Sequence, residues 1–227
     1  MFVRLPERQR NQIHWATPSL VLISVLAFLW LVGLDDAARG RILYRWGAMP
    51  EQLLPAGVFD LSGYRHWATL FSTLFIHADW LHLVGNLLFL LIFGLPAERG
   101  LGGLRLLLLF LFAGAAANAA AVLLVDVPRA VIIGSSGAVS ALVGAYLALF
   151  PRARLGFVLP LGMFLEFVRT PAPVMIGAWA ILQVVFSVVG PSFGAVAWSA
   201  HVAGFIIGFL YGLVARSSLS RRWRAQA

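Results

Sequence analysis

The chain alternates between long apolar runs and short segments that contain charged residues, proline or glycine. Six of the apolar runs approach the roughly 20 residues that a helix needs to cross about 30 Å of hydrocarbon. They cover residues 19–34, 80–96, 106–125, 136–150, 172–189 and 196–215. Because bundled helices satisfy their backbone hydrogen bonds within the protein, the pattern predicts an all-α, polytopic membrane bundle of six transmembrane helices.

The segments between the runs set the expected domain boundaries. We expect residues 1–18 to form a cytoplasmic N-terminal lead, residues 19–215 the six-helix membrane domain, and residues 216–227 a basic cytoplasmic tail. Residues 35–79 form a long first loop whose prolines, glycines and aromatic residues predict short helices in the membrane interface. Residues 155–167 are apolar but interrupted by glycine and proline, which predicts a short or re-entrant piece.

Composition strengthens the membrane assignment. Of the 227 residues, 61% are hydrophobic and only 11% are charged, and the mean hydropathy of +0.89 is far outside the range of soluble proteins. Cysteine is absent, which excludes a disulfide framework and thiolate chemistry.

The net charge of +8 arises because arginine, with no lysine, outnumbers the acidic residues. The arginines lie in short clusters beside apolar runs rather than along one amphipathic face, so they indicate topology and not nucleic-acid binding. With six spans, twelve of the 17 arginines lie on the side of the two termini and five on the other. The positive-inside rule therefore predicts that both termini are cytoplasmic. As a membrane protein, the chain is expected to have the lipid bilayer as a partner and not nucleic acid.

The tetrapeptide Gly134-Ser135-Ser136-Gly137 opens the fourth apolar run. A Gly-x-Ser-Gly turn at a helix start holds a serine hydroxyl clear of the backbone and points free N–H groups at a bound oxygen. Ser136 is therefore a candidate nucleophile. The same residues are also typical of a helix N-cap and of close helix packing, so the tetrapeptide alone leaves both interpretations open.

Polar residues at similar depth in two other apolar runs need a reason. His82 and Asn86 are four residues apart and share one face of the second predicted helix, and His201 begins the sixth. An interfacial histidine, or an asparagine that joins two helices, would explain each one separately. No HExxH sequence or carboxylate pair accompanies His77, His82 and His201, so we predict neither a metal site nor a cofactor.

Together these motifs resemble those of the rhomboid intramembrane serine proteases over about residues 67–212. Three motifs contain the candidate site residues: the serine motif with Gly144-Ala145-Tyr146 after it, His82-Leu83-Val84-Gly85-Asn86 after residues 75–81, and Ala200-His201-Val202-Ala203-Gly204 through to Gly208. The other matching positions are Glu98 and Gly102, Pro151-Arg152-Ala153-Arg154, and Trp179 with Gln183.

The resemblance implies a six-helix rhomboid-like fold and a serine endopeptidase with a Ser–His dyad that lacks an aspartate. It implies that Ser136 is the nucleophile and His201 the general base, while His82, Asn86 and the Ser136 backbone N–H stabilise the oxyanion. The implied substrates are single-span membrane proteins, cut in or near their transmembrane segment, and the implied location is a bacterial inner membrane. Without an acidic partner, we expect the imidazole to be held by packing.

Two positions depart from the family pattern. Ala68-Thr69 replace the Trp-Arg pair that is common in the first loop, which affects how that loop is anchored. Ser140 replaces an aromatic residue that often lies four positions after the nucleophile, so we expect His201 to lack ring stacking from that side.

Two other classes of function share some of these features. A catalytically inactive rhomboid-like binding module for membrane proteins would have the same fold, but such proteins typically lack the serine or the histidine, and both are present here. A small transporter also places polar residues at helix starts, yet the chain shows no inverted repeat and, apart from Glu166, no intramembrane carboxylate. The sequence therefore favours a protease.

Overall fold

The computed structural model describes residues 14–54, 64–125, 127–161, 164–189 and 197–225. Within these ranges lie the α-helices α1 (Ala16–Val32), α2 (Asp36–Trp46), α3 (Pro50–Leu53), α4 (Tyr64–Ser72), α5 (Trp80–Phe89), α6 (Leu95–Leu101), α7 (Gly103–Leu124), α8 (Ser136–Leu149), α9 (Ala172–Val189) and α10 (Trp198–Ala225). A 3₁₀ turn at Thr73–Phe75 follows α4, and a π-helical turn at Leu90–Gly94 joins α5 to α6. Strands β1 (Arg154–Leu161) and β2 (Phe164–Pro171) lie between α8 and α9.

The long helices have the length and composition of membrane spans. Among the described residues, three stretches are long and apolar enough to cross a membrane: Trp80–Leu101, Gly103–Leu124 and Trp198–Ser217. Three further apolar helices are shorter: Ala16–Val32, Ser136–Leu149 and Ala172–Phe186. These helices occupy the six predicted places, and their outward side chains are apolar, as at Leu104, Val174 and Val214. The protein is therefore an integral membrane protein.

The segment at residues 155–167 differs from its prediction. Its described residues lie in two antiparallel strands, and β1 pairs with β2 from Arg154 opposite Pro171 to Leu161 opposite Phe164. Gly156 and Pro160 disfavour a helix here, while valine, phenylalanine and threonine favour strands, and pairing satisfies backbone groups that an irregular piece would leave exposed. The two strands depart from the all-α prediction, and the fold is mostly helical.

The short helices predicted for the first loop are present as α2, α3 and α4, and several hydrogen bonds fasten them. The Ser72 hydroxyl donates to the Trp46 carbonyl at 2.8 Å, which joins α4 to α2. Ile132 donates its N–H to the Ala48 carbonyl at 2.8 Å, which joins the loop to the segment before α8. The loop is thus anchored without the Trp-Arg pair that Ala68-Thr69 replace.

A buried carboxylate ties α1 to the rest of the bundle. Glu98 is 1% exposed, and its oxygens accept the N–H groups of Trp15, Ala16 and Thr17 at 2.8–2.9 Å. These donors have no intrahelical partner at the start of α1, and the positive end of the helix dipole favours a negative charge there. Glu98 therefore caps α1 from α6.

The helix α8 lies at the centre of the bundle. Eleven of its 14 residues are buried, so protein surrounds it on nearly all sides. A Cβ on Gly208 of α10 would overlap the carbonyl oxygen of Ala141, which shows that the backbones of α8 and α10 are in direct contact. On another side, Ala117 of α7 approaches Gly137. This packing fixes the start of α8 relative to its neighbours.

Candidate active site

The serine motif forms the turn that leads into α8. Gly134 has a φ of 106°, a left-handed value that disfavours residues with a Cβ, and its N–H donates to the Thr73 carbonyl at 2.9 Å. A Cβ on Gly134 would lie 2.5 Å from Nε2 of His82, so glycine is also needed for the close approach of α5. Ser135 is then the N-cap residue, and Ser136 is the first residue of α8.

The two serines have different surroundings. Ser135 is 1% exposed, and its Oγ lies 3.3 Å from Nε2 of His77 in hydrogen-bonding geometry. Ser136 is partly exposed and begins a helix whose first N–H groups have no intrahelical carbonyl partner. The turn therefore presents Ser136 to an incoming group and keeps Ser135 inside the protein.

His201 lies in the first turn of α10, beside the start of α8. A Cβ on Gly204 would overlap the carbonyl oxygen of Gly137. A Cβ on Gly137 would in turn lie 3.5 Å from the carbonyl oxygen of Ala200, the residue before His201. The first turns of α8 and α10 are therefore side by side, which brings Ser136 and His201 to the same end of the bundle.

Two residues outside the predicted site hold the His201 ring. Its Nδ1 lies 2.7 Å from Oε1 of Gln183, a buried amide on α9. The Trp198 ring meets it edge to face with centroids 5.6 Å apart, and Trp198 itself stacks on Phe186 at 4.9 Å. The imidazole was expected to be held by packing; the Trp198 ring supplies such packing, and the hydrogen bond to Gln183 adds to it. The sequence did contain a signal for it, since Gln183 is an amide within a mostly apolar helix.

His82 and Asn86 lie on the side of α5 that contacts the serine turn. Asp79 caps this helix, since its Oδ1 accepts the N–H of His82 at 2.8 Å. Asn86 is buried, and its Nδ2 has no hydrogen-bond partner among the described residues. This nitrogen is 3.7 Å from the point where a Cβ on Gly134 would lie. The imidazoles of His82 and His201 are close enough to interact electrostatically, so the predicted side chains converge on one turn.

His77 is a further buried imidazole beside the site. It is 1% exposed, and its ring meets the ring of His82 edge to face with centroids 5.2 Å apart. Burial, together with the nearby imidazole of His82, lowers the pKa of His77 to about 4, so its ring is neutral at pH 7. In the part of the chain that the structure describes, no three His, Cys, Asp or Glu side chains are arranged to hold a metal ion.

Ser140 lies one helical turn after Ser136 on α8. Its side chain is buried, and its hydroxyl donates to the Ser136 carbonyl at 2.7 Å. It offers no ring to His201, and the aromatic contact comes from Trp198 on α10 instead.

Comparison with known proteins identifies the family of this arrangement. A family model described as "Rhomboid domain" matches residues 64–218, more than half of the 227 residues. The chain belongs to the rhomboid family. The matched region runs from α4 into α10 and contains the serine turn together with His82, Asn86 and His201.

Individual rhomboid relatives are distant. "Rhomboid-like protein 11, chloroplastic" of Arabidopsis thaliana is 34% identical over 138 residues, which cover 60% of this chain and 41% of the relative. "RHOMBOID-like protein 6, mitochondrial" of the same plant is 25% identical over 159 residues, 59% of this chain and 51% of the relative. "Rhomboid-related protein 2" of Mus musculus is 32% identical over 151 residues, 62% of this chain and 45% of the relative.

This rhomboid therefore matches about half of the length of these relatives, or less. The names of the two plant proteins refer to the chloroplast and the mitochondrion. The expected bacterial inner membrane gains no support from these three relatives.

Proposed function

We propose that this rhomboid is a serine endopeptidase that hydrolyses a peptide bond in or near the transmembrane segment of single-span membrane proteins. One observation carries the proposal: at the start of α8 lie an accessible serine, a neighbouring histidine and a buried asparagine amide that has no partner among the described residues. Ser136 is the nucleophile and His201 the general base. The reaction uses these side chains and water, and it requires no cofactor.

The proposed reaction has two stages. Ser136 Oγ attacks the peptide carbonyl while His201 takes its proton, and His201 then gives that proton to the leaving amine as the C–N bond breaks. Water, deprotonated by His201, next attacks the acyl ester and releases the second product with Ser136 restored. The two side chains make no hydrogen bond to each other in the structure, which describes both residues. Such contacts often tighten only in the substrate complex.

Asn86 supports the oxyanion part of the proposal. An unpaired buried donor costs about 1–3 kcal/mol, so one that is retained needs a reason. Nδ2 of Asn86 lies against the Gly134 turn, where a substrate oxygen bound at Ser136 would give it an acceptor. Asn86, His82 and the Ser136 N–H would then stabilise the negative oxygen of the tetrahedral intermediate in a site of low dielectric.

The proposed membrane arrangement has six transmembrane helices and cytoplasmic termini, in a bacterial inner membrane as the sequence resemblance implies. The central helix α8 has 14 residues, a length of about 21 Å against a hydrocarbon thickness of about 30 Å. Because protein surrounds α8, its first turn can begin below the membrane surface without exposing polar groups to lipid. An intact substrate helix hides its carbonyls, so the substrate must unwind locally to reach Ser136.

A catalytically inactive rhomboid that binds membrane proteins is the second candidate. The observation that favours it is the absence of a hydrogen bond between Ser136 and His201 in the structure, although both are among the described residues. Binding alone would need neither a free serine hydroxyl nor an unpaired Asn86 amide.

The test uses a fluorophosphonate probe and a liposome cleavage assay with a panel of single-span proteins. We expect the wild type to react with the probe and to cleave, and Ser136→Ala and His201→Ala to do neither. Ser135→Ala is the matched control, because Ser135 faces His77 and should not be needed as a nucleophile. The double variant Ser136→Ala/His201→Ala should lose no more than either single variant, because both residues act in one step. A wild type that binds single-span proteins without labelling or cleavage would favour the inactive module.

A further inference from the structure

The buried side-chain amide of Gln183 on α9 is hydrogen-bonded to His201, the proposed base. Gln183 is 9% exposed within the mostly apolar helix Ala172–Val189. A buried amide is costly in such a helix unless it is hydrogen-bonded. Its Oε1 lies 2.7 Å from Nδ1 of His201, which is the distance of a short hydrogen bond between α9 and α10.

This contact determines which nitrogen of His201 can act as a base. An amide oxygen only accepts hydrogen bonds, so Nδ1 of His201 carries the proton. In a neutral imidazole the lone pair is then on Nε2, which is the nitrogen available to accept the Ser136 proton. If the amide nitrogen of Gln183 faced the ring instead, it would donate to Nδ1 and leave the proton on Nε2, where it would block the reaction.

The same side of the site also fixes the plane of the ring. Trp198 meets the His201 ring at an interplanar angle of 87°, and Phe186 of α9 stacks on Trp198. From α8, Ser140 has no ring to offer, and its hydroxyl donates to the Ser136 carbonyl. The orientation of the base therefore depends on α9 and on the start of α10.

We propose that Gln183 is a positioning residue that fixes the Nδ1–H tautomer and the orientation of His201, so that Nε2 faces Ser136. The proposal rests on the protease function proposed above. A neutral amide orients the ring without adding a negative charge to the site. Gln183 thus takes the orienting role that an acidic residue has in a Ser–His–Asp triad, on a different helix from the base.

The first experiment compares three variants of the 227-residue chain. Gln183→Leu removes the acceptor at similar volume, Gln183→Glu keeps an acceptor oxygen, and Leu182→Ala is the control because Leu182 is an exposed neighbour on α9. We expect Gln183→Leu to lower kcat and the rate of fluorophosphonate labelling by at least about tenfold with KM within about twofold of wild type. Gln183→Glu should recover most of the lost rate, and Leu182→Ala should match the wild type.

The second experiment reads the tautomer without relying on activity. Nitrogen NMR of protein labelled with 15N-histidine distinguishes a protonated from an unprotonated ring nitrogen, and His201→Ala identifies the signals of His201. At pH 7 we expect the proton on Nδ1 in the wild type and a shift of population toward Nε2 in Gln183→Leu.

The two proposals fail in different ways. A wild type that does not react with the probe would refute the protease function, while the NMR signals would still test the role of Gln183. A proton on Nε2 in the wild type would overturn the positioning role. A Gln183→Leu variant that is labelled at the wild-type rate would also overturn it. The same holds if Gln183→Leu lowers both the melting temperature and the labelling rate and Gln183→Glu restores neither.

Discussion

Two buried asparagines in this rhomboid have opposite hydrogen-bonding states. Nδ2 of Asn86 has no partner among the described residues, whereas Nδ2 of Asn118 donates to the Leu70 carbonyl at 3.0 Å. We expect Asn86→Ala to lower the single-turnover cleavage rate by about 10²–10³. Its melting temperature should stay near that of wild type, because Nδ2 has no hydrogen-bond partner to lose among the described residues. Both quantities are measured on the same preparation.

Asn118→Ala is the matched control for this prediction. The substitution removes the hydrogen bond between Asn118 of α7 and Leu70 of α4, so we expect the free energy of unfolding to fall by roughly 1–2 kcal/mol. The folded fraction should cleave at nearly the wild-type rate, since the Asn118 amide is already engaged by the Leu70 carbonyl of α4. If Asn86→Ala were destabilised but fully active, Asn86 would be helix-bridging and not an oxyanion donor.

The buried imidazole of His77 should make the stability of the fold depend on pH. Its pKa is about 4 in the folded protein against an ordinary value of 6.5, so between these values only the unfolded state binds the proton. The contribution of His77 to stability is therefore complete above about pH 6.5 and is lost as the pH falls to about 4, by up to about 3 kcal/mol. The measurement is the free energy of unfolding from pH 7 to pH 4.

His77→Gln provides the comparison, because glutamine has no titratable group. We expect the unfolding free energy of this variant to depend less steeply on pH than that of the wild type between pH 6.5 and pH 4. His82 and His201 are present in both proteins, so the difference between the two curves reports His77 together with its coupling to the neighbouring His82 ring. Parallel curves would show that His77 is not buried in its neutral form.

At the scale of elements, the contact between α8 and α10 sets the relative position of Ser136 and His201, the proposed nucleophile and base. A Cβ on Gly208 would overlap the Ala141 carbonyl, whereas a Cβ on Gly177 of α9 would have no atom within 4 Å apart from its own helix backbone and chain neighbours. We expect Gly208→Ala to lower the free energy of unfolding by about 1–3 kcal/mol, because it forces the two helices apart. The same variant should react more slowly with the fluorophosphonate probe, because Ser136 and His201 lie at the ends of these helices.

Gly177→Ala is the control for that experiment. An added methyl group in open space on a helix should leave stability unchanged or raise it by up to about 1 kcal/mol. Thermal unfolding in one detergent and the labelling rate are compared for both variants. Equal stability of Gly208→Ala and Gly177→Ala would mean that α8 and α10 are not in backbone contact.

At the scale of the whole molecule, the distribution of arginine predicts the topology. Twelve of the 17 arginines lie on the side of the termini if all six apolar helices cross. We therefore expect reporter fusions after Met1 and at Ala227 to give cytoplasmic signals. An exported signal from either end would contradict the six-span arrangement, even if the protein is an active protease.

The sequence by itself determined which parts of the chain are apolar helices. An apolar run of about 20 residues has few alternatives in lipid, because a helix satisfies its backbone hydrogen bonds internally. The fifth run was predicted at residues 172–189 and is found as Ala172–Val189. Polar residues inside such runs stand out for the same reason, which is why Ser136, His82, Asn86 and His201 could be chosen before their contacts were known.

Only the tertiary structure decided what those residues touch. Gln183 meets His201 from 18 residues away, and His77 meets Ser135 from 58 residues away. Local periodicity gives the face of a helix on which a side chain lies, but not which neighbour it meets there. Asn86 shows this limit most clearly. Its amide would bridge two helices if a carbonyl lay opposite, but Nδ2 has no acceptor among the described residues. The packing of other helices around it made that difference.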